Sequence, residues 1–345
     1  MKIKVRNRAG QEVEIFAGSA MRAYLNEKYK RTDSFAVKRY LAEHNVSLKE
    51  VIRVLGIEDI NRVTAGSMLT NDGTKPLFNA VVEDGLRIGW EKESNWQALV
   101  AKNVTATQLS QTYYYLEHDE DEVALREIGQ GAPIPVGTIK VDGKSIMMHK
   151  RGRGIEWTDE SKAANIDLVS LWLMKLGKKL GRDYENTAIH RLLNGYFEDG
   201  SDAAPVLGIK TANDLKLSDL FYAAKYMENE LGYTPKRMVM SLETATKITE
   251  MTNGNGAYLF ADEMKNGQFA SVLKAPPFIS SMIPDNRIML VDTSFALVRY
   301  TYKEFGVEFE RSAKTQVEGS YGTEISEFVP FEKNARLIIA LDQAR

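Results

Sequence analysis

The chain has 345 residues, of which 43% are hydrophobic and 27% are charged, so it is long enough to bury one or two ordinary cores. Its 45 basic and 47 acidic side chains leave a formal net charge of −2, which argues against a dedicated nucleic-acid-binding protein, since such proteins concentrate Lys and Arg. Cysteine is absent, which excludes disulfides and thiolate metal sites. The N-terminus lacks the apolar region of an export signal, and no run of about 20 apolar residues predicts a membrane span, so we expect folding in the cytoplasm.

The N-terminal part of the sequence combines a short hairpin with helical segments. Residues 2–16 alternate weakly around Asn7-Arg8-Ala9-Gly10, which predicts two strands joined by a turn. Residues 19–30 and 34–55 place apolar side chains at helical spacing and end before Gly56. A polar, glycine-containing stretch around residues 65–73 then predicts a boundary, after which ordered and strand-like patterns resume as far as Leu116.

Residues 136–149 carry the strongest hairpin signal. Two alternating runs, 136–141 and 144–149, flank Asp142-Gly143, a pair that suits a type I′ turn because both turn residues need positive φ. A two-stranded ribbon is marginal in water, so we expect its apolar side to rest on the chain's own body or on a neighbouring copy. The residues on that side are Ile139, Val141, Ile146 and Met148.

The longest helix signal runs from Thr158 as N-cap to Asn194 and is closed by Gly195. About 36 residues at roughly 1.5 Å each predict a helix of about 54 Å, apolar on one side and basic on the other. Gly177 and Gly181 flank the apolar side, where we expect another backbone to pack closely, because glycine costs about 1 kcal/mol relative to alanine in a helix. The other residues predicted to pack along this side are Val169, Leu173, Leu176, Leu180 and Tyr184.

Residues 211–310 have the pattern of an α+β module. Ser218 is predicted to cap a helix that ends at Gly232, and Ser241 to cap a second helix. Residues 237–240 and 287–291 are apolar enough for buried strands. Three further strand-like segments end the sequence, and we expect them to return along the long helix; they are 306–310, 319–329 and 336–341.

Enzymatic motifs are weak in this sequence. Residues 137–145 are similar to the phosphate-binding GxxxxGK[ST] loop but contain one residue too many, and they alternate like a strand where that loop would lead into a helix. The four histidines lack metal-ligand spacing, and the acidic run 117–122 lacks the spacing of a calcium loop. We therefore predict no catalytic, cofactor-binding or metal-binding residue, with a cytoplasmic nucleotide-binding enzyme kept as an alternative.

The order of these elements resembles the major capsid proteins of tailed bacteriophages, which have the Hong Kong 97-like fold. The resemblance covers about residues 70–340 and depends on the order of elements more than on any one motif. The segments that carry it are 127–135 (EIGQGAPIP), 150–160 (KRGRGIEWTDE), 237–241 (RMVMS) and 283–292 (IPDNRIMLVD).

This resemblance implies an α+β subunit that self-assembles through pentamers and hexamers into an icosahedral shell, the virion capsid, in the host cytoplasm. It also implies portal and scaffold or decoration proteins as partners, and packaged DNA held without sequence-specific contacts. An encapsulin-like nanocompartment shell is the alternative with the same fold.

The parts implied by the resemblance are an N-terminal arm (1–70), a peripheral domain with the long helix (71–119, 158–200 and 305–345), an extended loop (120–157) and an axial domain (201–304). The loop residues implied at the assembly interface are Ile139, Val141, Asp142, Gly143, Lys144, Ile146 and Met148.

Overall fold

The computed structural model describes residues 1–56, 73–93, 95–112, 127–130, 133–134, 144–158, 166–253, 255–312 and 317–345. The chain divides into two compact units that each mix helices and strands. Unit 1 comprises Met1–Trp96, His149–Asn186 and Tyr302–Ser326. Unit 2 comprises Gln97–Met148, Thr187–Thr301 and Glu327–Arg345.

The elements of the described residues are as follows. The strands are β1 (Lys2–Arg6), β2 (Glu12–Phe16), β3 (Lys102–Thr105), β4 (Ser110–Thr112), β5 (Ser145–Met147), β6 (His149–Thr158), β7 (Val206–Ile209), β8 (Arg237–Met240), β9 (Pro277–Ile279), β10 (Arg287–Val291), β11 (Leu297–Ser312), β12 (Val317–Pro330) and β13 (Arg336–Ala344). The helices are α1 (Ser19–Tyr29), α2 (Ser34–Glu43), α3 (Leu48–Val54), α4 (Lys75–Glu93), α5 (Ile166–Asn194), α6 (Leu217–Asn229), α7 (Leu242–Thr249) and α8 (Ala261–Lys265).

The N-terminal segment of unit 1 is folded. β1 and β2 form the predicted antiparallel hairpin, and the predicted helical stretch is split into α1, α2 and α3. Asp33 and Ser47 cap α2 and α3 by accepting the backbone N–H groups of Ala36 and Glu50. The structure therefore differs from the arm implied for residues 1–70, because the apolar faces of these short helices are buried together with α4 in one core.

Strand β6 lies in unit 1, whereas the sequence placed residues up to 157 in the extended loop. β6 pairs with β12 along ten residues, so Gly152 and Gly154 lie inside a strand. A Cβ on Gly154 would lie 2.3 Å from the Tyr321 ring, which covers this position from the neighbouring strand. The predicted N-cap Thr158 is the last residue of β6. The described part of α5, Ile166–Asn194, is 29 residues long, or about 44 Å.

The main sheet of unit 2 has the strand order β7-β13-β10-β8-β9, with α6 and α7 contributing to its core. The predicted strands β8 and β10 and the Ser241 cap of α7 are confirmed. The N-cap of α6 is Lys216 and not Ser218, because the Asp219 carboxylate accepts the backbone N–H of Lys216.

The last strand lies in this sheet, whereas the sequence led us to expect it along the long helix. β13 is a central strand, parallel to β7 and antiparallel to β10. Its residues 336–341 are all buried, which requires neighbours on both edges and both faces. Residues 327–345 accordingly belong to unit 2, whereas the sequence assigned 305–345 to a peripheral domain.

Candidate assembly site

The first candidate site is the loop root, where β4 and β5 of unit 2 pair. Thr112 and Ser145 are cross-strand partners, so these two positions lie side by side although 32 residues separate them in the sequence. The extended loop between these positions stays a prediction. The hairpin residues Ile139, Val141, Asp142 and Gly143 lie outside the described residues.

An apolar contact anchors β5. The Ile146 side chain is fully buried beside Val329, with Tyr196, Phe197 and Tyr300 packed around it. The Met148 side chain is buried as well. Both side chains are therefore covered by their own subunit, and the expectation that they contact a neighbouring copy is corrected for these two residues.

Polar contacts surround the same anchor. The Lys144 ammonium lies 2.7 Å from Asp199 Oδ2 and 2.6 Å from Ser201 Oγ, and 5.0 Å from the centre of the Phe197 ring. This ammonium, followed by the Ser201 N–H, holds the pKa of the Asp199 carboxyl well below its usual range. The Tyr196 hydroxyl accepts the Met147 N–H at 2.9 Å and donates to the Met147 carbonyl at 3.1 Å.

The turn that carries these partners follows α5 directly. Gly195 ends the helix with a φ of +80°. The buried Asp202 carboxylate accepts the N–H groups of Tyr196 and Phe197 at 2.7 and 3.1 Å. The Arg336 guanidinium donates to the carbonyls of Leu192, at 2.8 Å, and Asp202. Asp202 and Arg336 therefore stabilise this turn independently of its contacts with β5.

Sequence reasoning missed Tyr196, Asp199, Ser201 and Asp202 as site residues. The available signal was an aromatic pair directly after a helix-ending glycine, followed by the turn residues Asp199-Gly200. Lys144 is 55 residues away along the chain from Asp199, so no local pattern links them.

The second candidate site is the packed side of α5 in unit 1. A Cβ on Gly177 would lie 1.9 Å from the Leu86 carbonyl oxygen of α4, which confirms the expected close backbone packing. Tyr184 is buried and stacks on Trp96 with ring centres 5.7 Å apart. Leu176 and Gly181 are also buried, and Leu180 is partly buried against the unit 1 core. The side chains of Val169 and Leu173 lie outside the described residues.

The geometry of residues 144–147 does not match a phosphate-binding loop. Such a loop leads into a helix whose first N–H groups face the phosphates. Ser145 instead begins a strand, and the Lys144 ammonium is bound by Asp199. Among the described residues, no group of three His, Asp or Glu is placed to hold a metal ion, and no helix is long and apolar enough to cross a membrane.

The model of the family described as "Phage capsid protein" matches residues 142–328, more than half of the chain. The chain therefore belongs to the phage capsid protein family. No curated protein matches it.

Solved capsid structures share the fold at low sequence identity. The capsid of a native GTA particle is 15% identical with a TM-score of 0.58, over 72% of this chain and 91% of that chain. A chain of Gordonia phage Cozz is 15% identical with a TM-score of 0.53, over 72% and 86%. The virus-like particle from Pyrococcus furiosus is 10% identical with a TM-score of 0.53, over 75% and 97%. These matches confirm the predicted Hong Kong 97-like fold, and the family match confirms a capsid shell protein.

Proposed function

We propose that copies of this chain form pentamers and hexamers that close into an icosahedral shell around phage DNA. The observation that carries this proposal is the loop root: Thr112 and Ser145, which bound the predicted extended loop, are cross-strand partners. The root is held by contacts within its own subunit, and we infer that the loop beyond it contacts a neighbouring copy. The family match supports the same conclusion.

The proposed partners, DNA and other particle proteins, are inferred from the balanced charge of the chain and from its membership of the phage capsid family. Since basic and acidic side chains are balanced, packaged DNA is held by enclosure and not by sequence-specific contacts. A portal and a scaffold or decoration protein complete the particle, which assembles in the host cytoplasm. The subunit contributes structure and no catalysis.

An encapsulin-like compartment is the alternative with the same fold. The match to the phage capsid family is the observation that favours a shell for DNA.

Expression of the full chain, alone and with the genes that flank it, tests this proposal. Electron microscopy of the purified protein is expected to show closed shells or capsomers, and nuclease-treated shells from phage-infected cells should retain protected DNA. Folded protein that stays monomeric at all concentrations would contradict self-assembly. Shells that contain an enzyme and no DNA would establish the compartment alternative.

A further inference from the structure

The two strands at the loop root are too short to fix the loop by themselves. β4 and β5 pair through three residues each, and in the described chain they form a sheet of only two strands. Such a pair is marginal in water without additional packing. Side-chain contacts must therefore determine how β5 is oriented on unit 2.

Three positions of this short segment contact the turn at residues 196–201. The Ile146 side chain enters the apolar cluster, the Lys144 ammonium binds Asp199 and Ser201, and the backbone of Met147 binds the Tyr196 hydroxyl. One apolar contact leaves a strand free to rotate about that point. Contacts on both sides of it remove this freedom, because three separated points define an orientation.

The polar contacts of Lys144 contribute less to the free energy of folding than the apolar contact of Ile146. The Asp199 side chain is 56% exposed and that of Lys144 is 25% exposed. Exposed ion pairs contribute little to folding stability, since water competes for both charges. Ile146 is fully buried and is the residue that holds β5 to the core. Folding of the subunit therefore does not require the polar contacts, which leaves orientation as their effect.

A small rotation at the root has a large effect at the far end of a loop. A ribbon of ten residues is about 33 Å long, so a rotation of about 10° at one end moves the other by roughly 6 Å. We propose that Lys144, Tyr196, Asp199 and Ser201 form a root clamp that fixes the direction in which the loop leaves the subunit, and that this direction determines whether copies close into uniform shells. The inference rests on the proposed function and assigns these residues a positioning role in assembly.

Four variants test the root clamp: Lys144→Met, Asp199→Asn, their combination, and Tyr196→Phe. Each keeps the approximate size of its side chain, so isolated subunits should melt within about 2 °C of the unchanged protein. The yield of uniform closed shells, counted by electron microscopy, should fall on the order of tenfold, because every copy repeats the altered loop direction. The combined variant should be no worse than either single one, since the first change already breaks the pair.

A matched control is the exposed pair Lys225 and Glu228 on α6, which lies in the same unit. Lys225→Met and Glu228→Gln should leave shell size and yield unchanged. Normal shells from Lys144→Met and Asp199→Asn would overturn the inference. So would equal shell losses in the control variants, or a fall in melting temperature that accounts for the lost shells.

Hydrogen exchange provides a readout that needs no shells. The Met147 N–H donates to the Tyr196 hydroxyl, so Tyr196→Phe should speed exchange of this amide on the order of tenfold in isolated subunits. The Met289 amide in β10 should be unchanged. If the original protein forms no shells, the proposed function fails, whereas unchanged Met147 exchange would show that the clamp does not hold the root.

Discussion

At the scale of single residues, the packing of Gly177 shows how closely two helices approach in unit 1. A Cβ at this position would lie 1.9 Å from the Leu86 carbonyl oxygen and 2.8 Å from its carbonyl carbon. These are backbone atoms, which cannot move away as the end of a flexible side chain does. Direct contact between α5 and α4 therefore offsets the cost of glycine in a helix interior.

We expect Gly177→Ala to lower the free energy of unfolding by about 2–3 kcal/mol, because the added methyl group forces the two helices apart. Chemical denaturation of the isolated subunit measures this change. Gly129→Ala is the control: no atom of the described residues lies within 4 Å of its Cβ position, and we expect a change near zero. Equal stability of the two variants would show that the helices separate without cost.

Tyr233 in unit 2 gives a second prediction, for alkaline pH. Burial, together with the nearby Glu332 carboxylate, raises the pKa of Tyr233 from its ordinary value of 10.0 to about 12. The unfolded chain then loses this proton near pH 10 while the folded chain keeps it, so the free energy of unfolding falls as the pH rises from 10 to 12. Below pH 10 the contribution is fully present.

Substitution Tyr233→Phe removes the ionisable group and should make unfolding less sensitive to pH in this window. Urea denaturation at several values between pH 9 and 12 measures the slope for both proteins. Lysine titration affects both proteins equally and cancels in the comparison. Parallel curves for the variant and the original protein would show that Tyr233 ionises alike in the folded and unfolded states.

At the scale of elements, the sequence predicted what local chemistry determines. The hairpin β1–β2, the Ser241 cap and the strands β8 and β10 each depend on residues close together in the chain, and all four are present. The close packing at Gly177 was also predicted, since a glycine beside an apolar helix face is destabilising unless a neighbouring backbone packs against it.

The parts that sequence reasoning missed depend on contacts between distant segments. The sequence of β13 is typical of any buried apolar strand. Its pairing with β7 and β10 is what assigns it to unit 2. The ten-residue pairing that keeps β6 in a sheet is made by β12, which lies more than 150 residues later. In the candidate site, the sequence identified Lys144 and Ile146, but their partners at residues 196–201 are set by the fold.

The burial of Ile146 determines which part of the predicted loop can be removed without affecting the fold. Replacing residues 136–143 with a Gly-Ser link keeps Lys144 and Ile146, and it removes no side chain from the described cores. The melting temperature of the isolated subunit should therefore stay nearly unchanged, while closed particles are lost because neighbouring copies lose the loop. Calorimetry and electron microscopy of the same preparation measure the two effects.

The companion variant Ile146→Asp, unlike the shortened loop, should destabilise the isolated subunit. It places an unpaired charge in a fully buried position and should destabilise the subunit by several kcal/mol. Normal shells from the shortened loop would show that the loop does not join copies. A stable Ile146→Asp subunit would show that β5 is not anchored through this side chain.

At the scale of the whole molecule, disulfides cannot join copies of this chain, and its formal net charge is only −2. The chain contains no cysteine, and 45 basic side chains nearly balance 47 acidic ones. We therefore expect a shell of such subunits to be held by many modest contacts between copies, each a mixture of buried apolar area and surface ion pairs.

This composition predicts that salt changes the stability of the shell and that a thiol reductant does not. Raising the salt concentration from 0.1 M to 1 M shortens the screening distance from about 10 Å to about 3 Å, which weakens surface ion pairs between copies and shifts the balance between free subunits and shells. A thiol reductant has no disulfide to reduce and should leave that balance unchanged. Light scattering and sedimentation of purified shells, measured in matched buffers, report both responses. Disassembly by the reductant alone, or an identical balance at both salt concentrations, would be inconsistent with a shell held by these contacts.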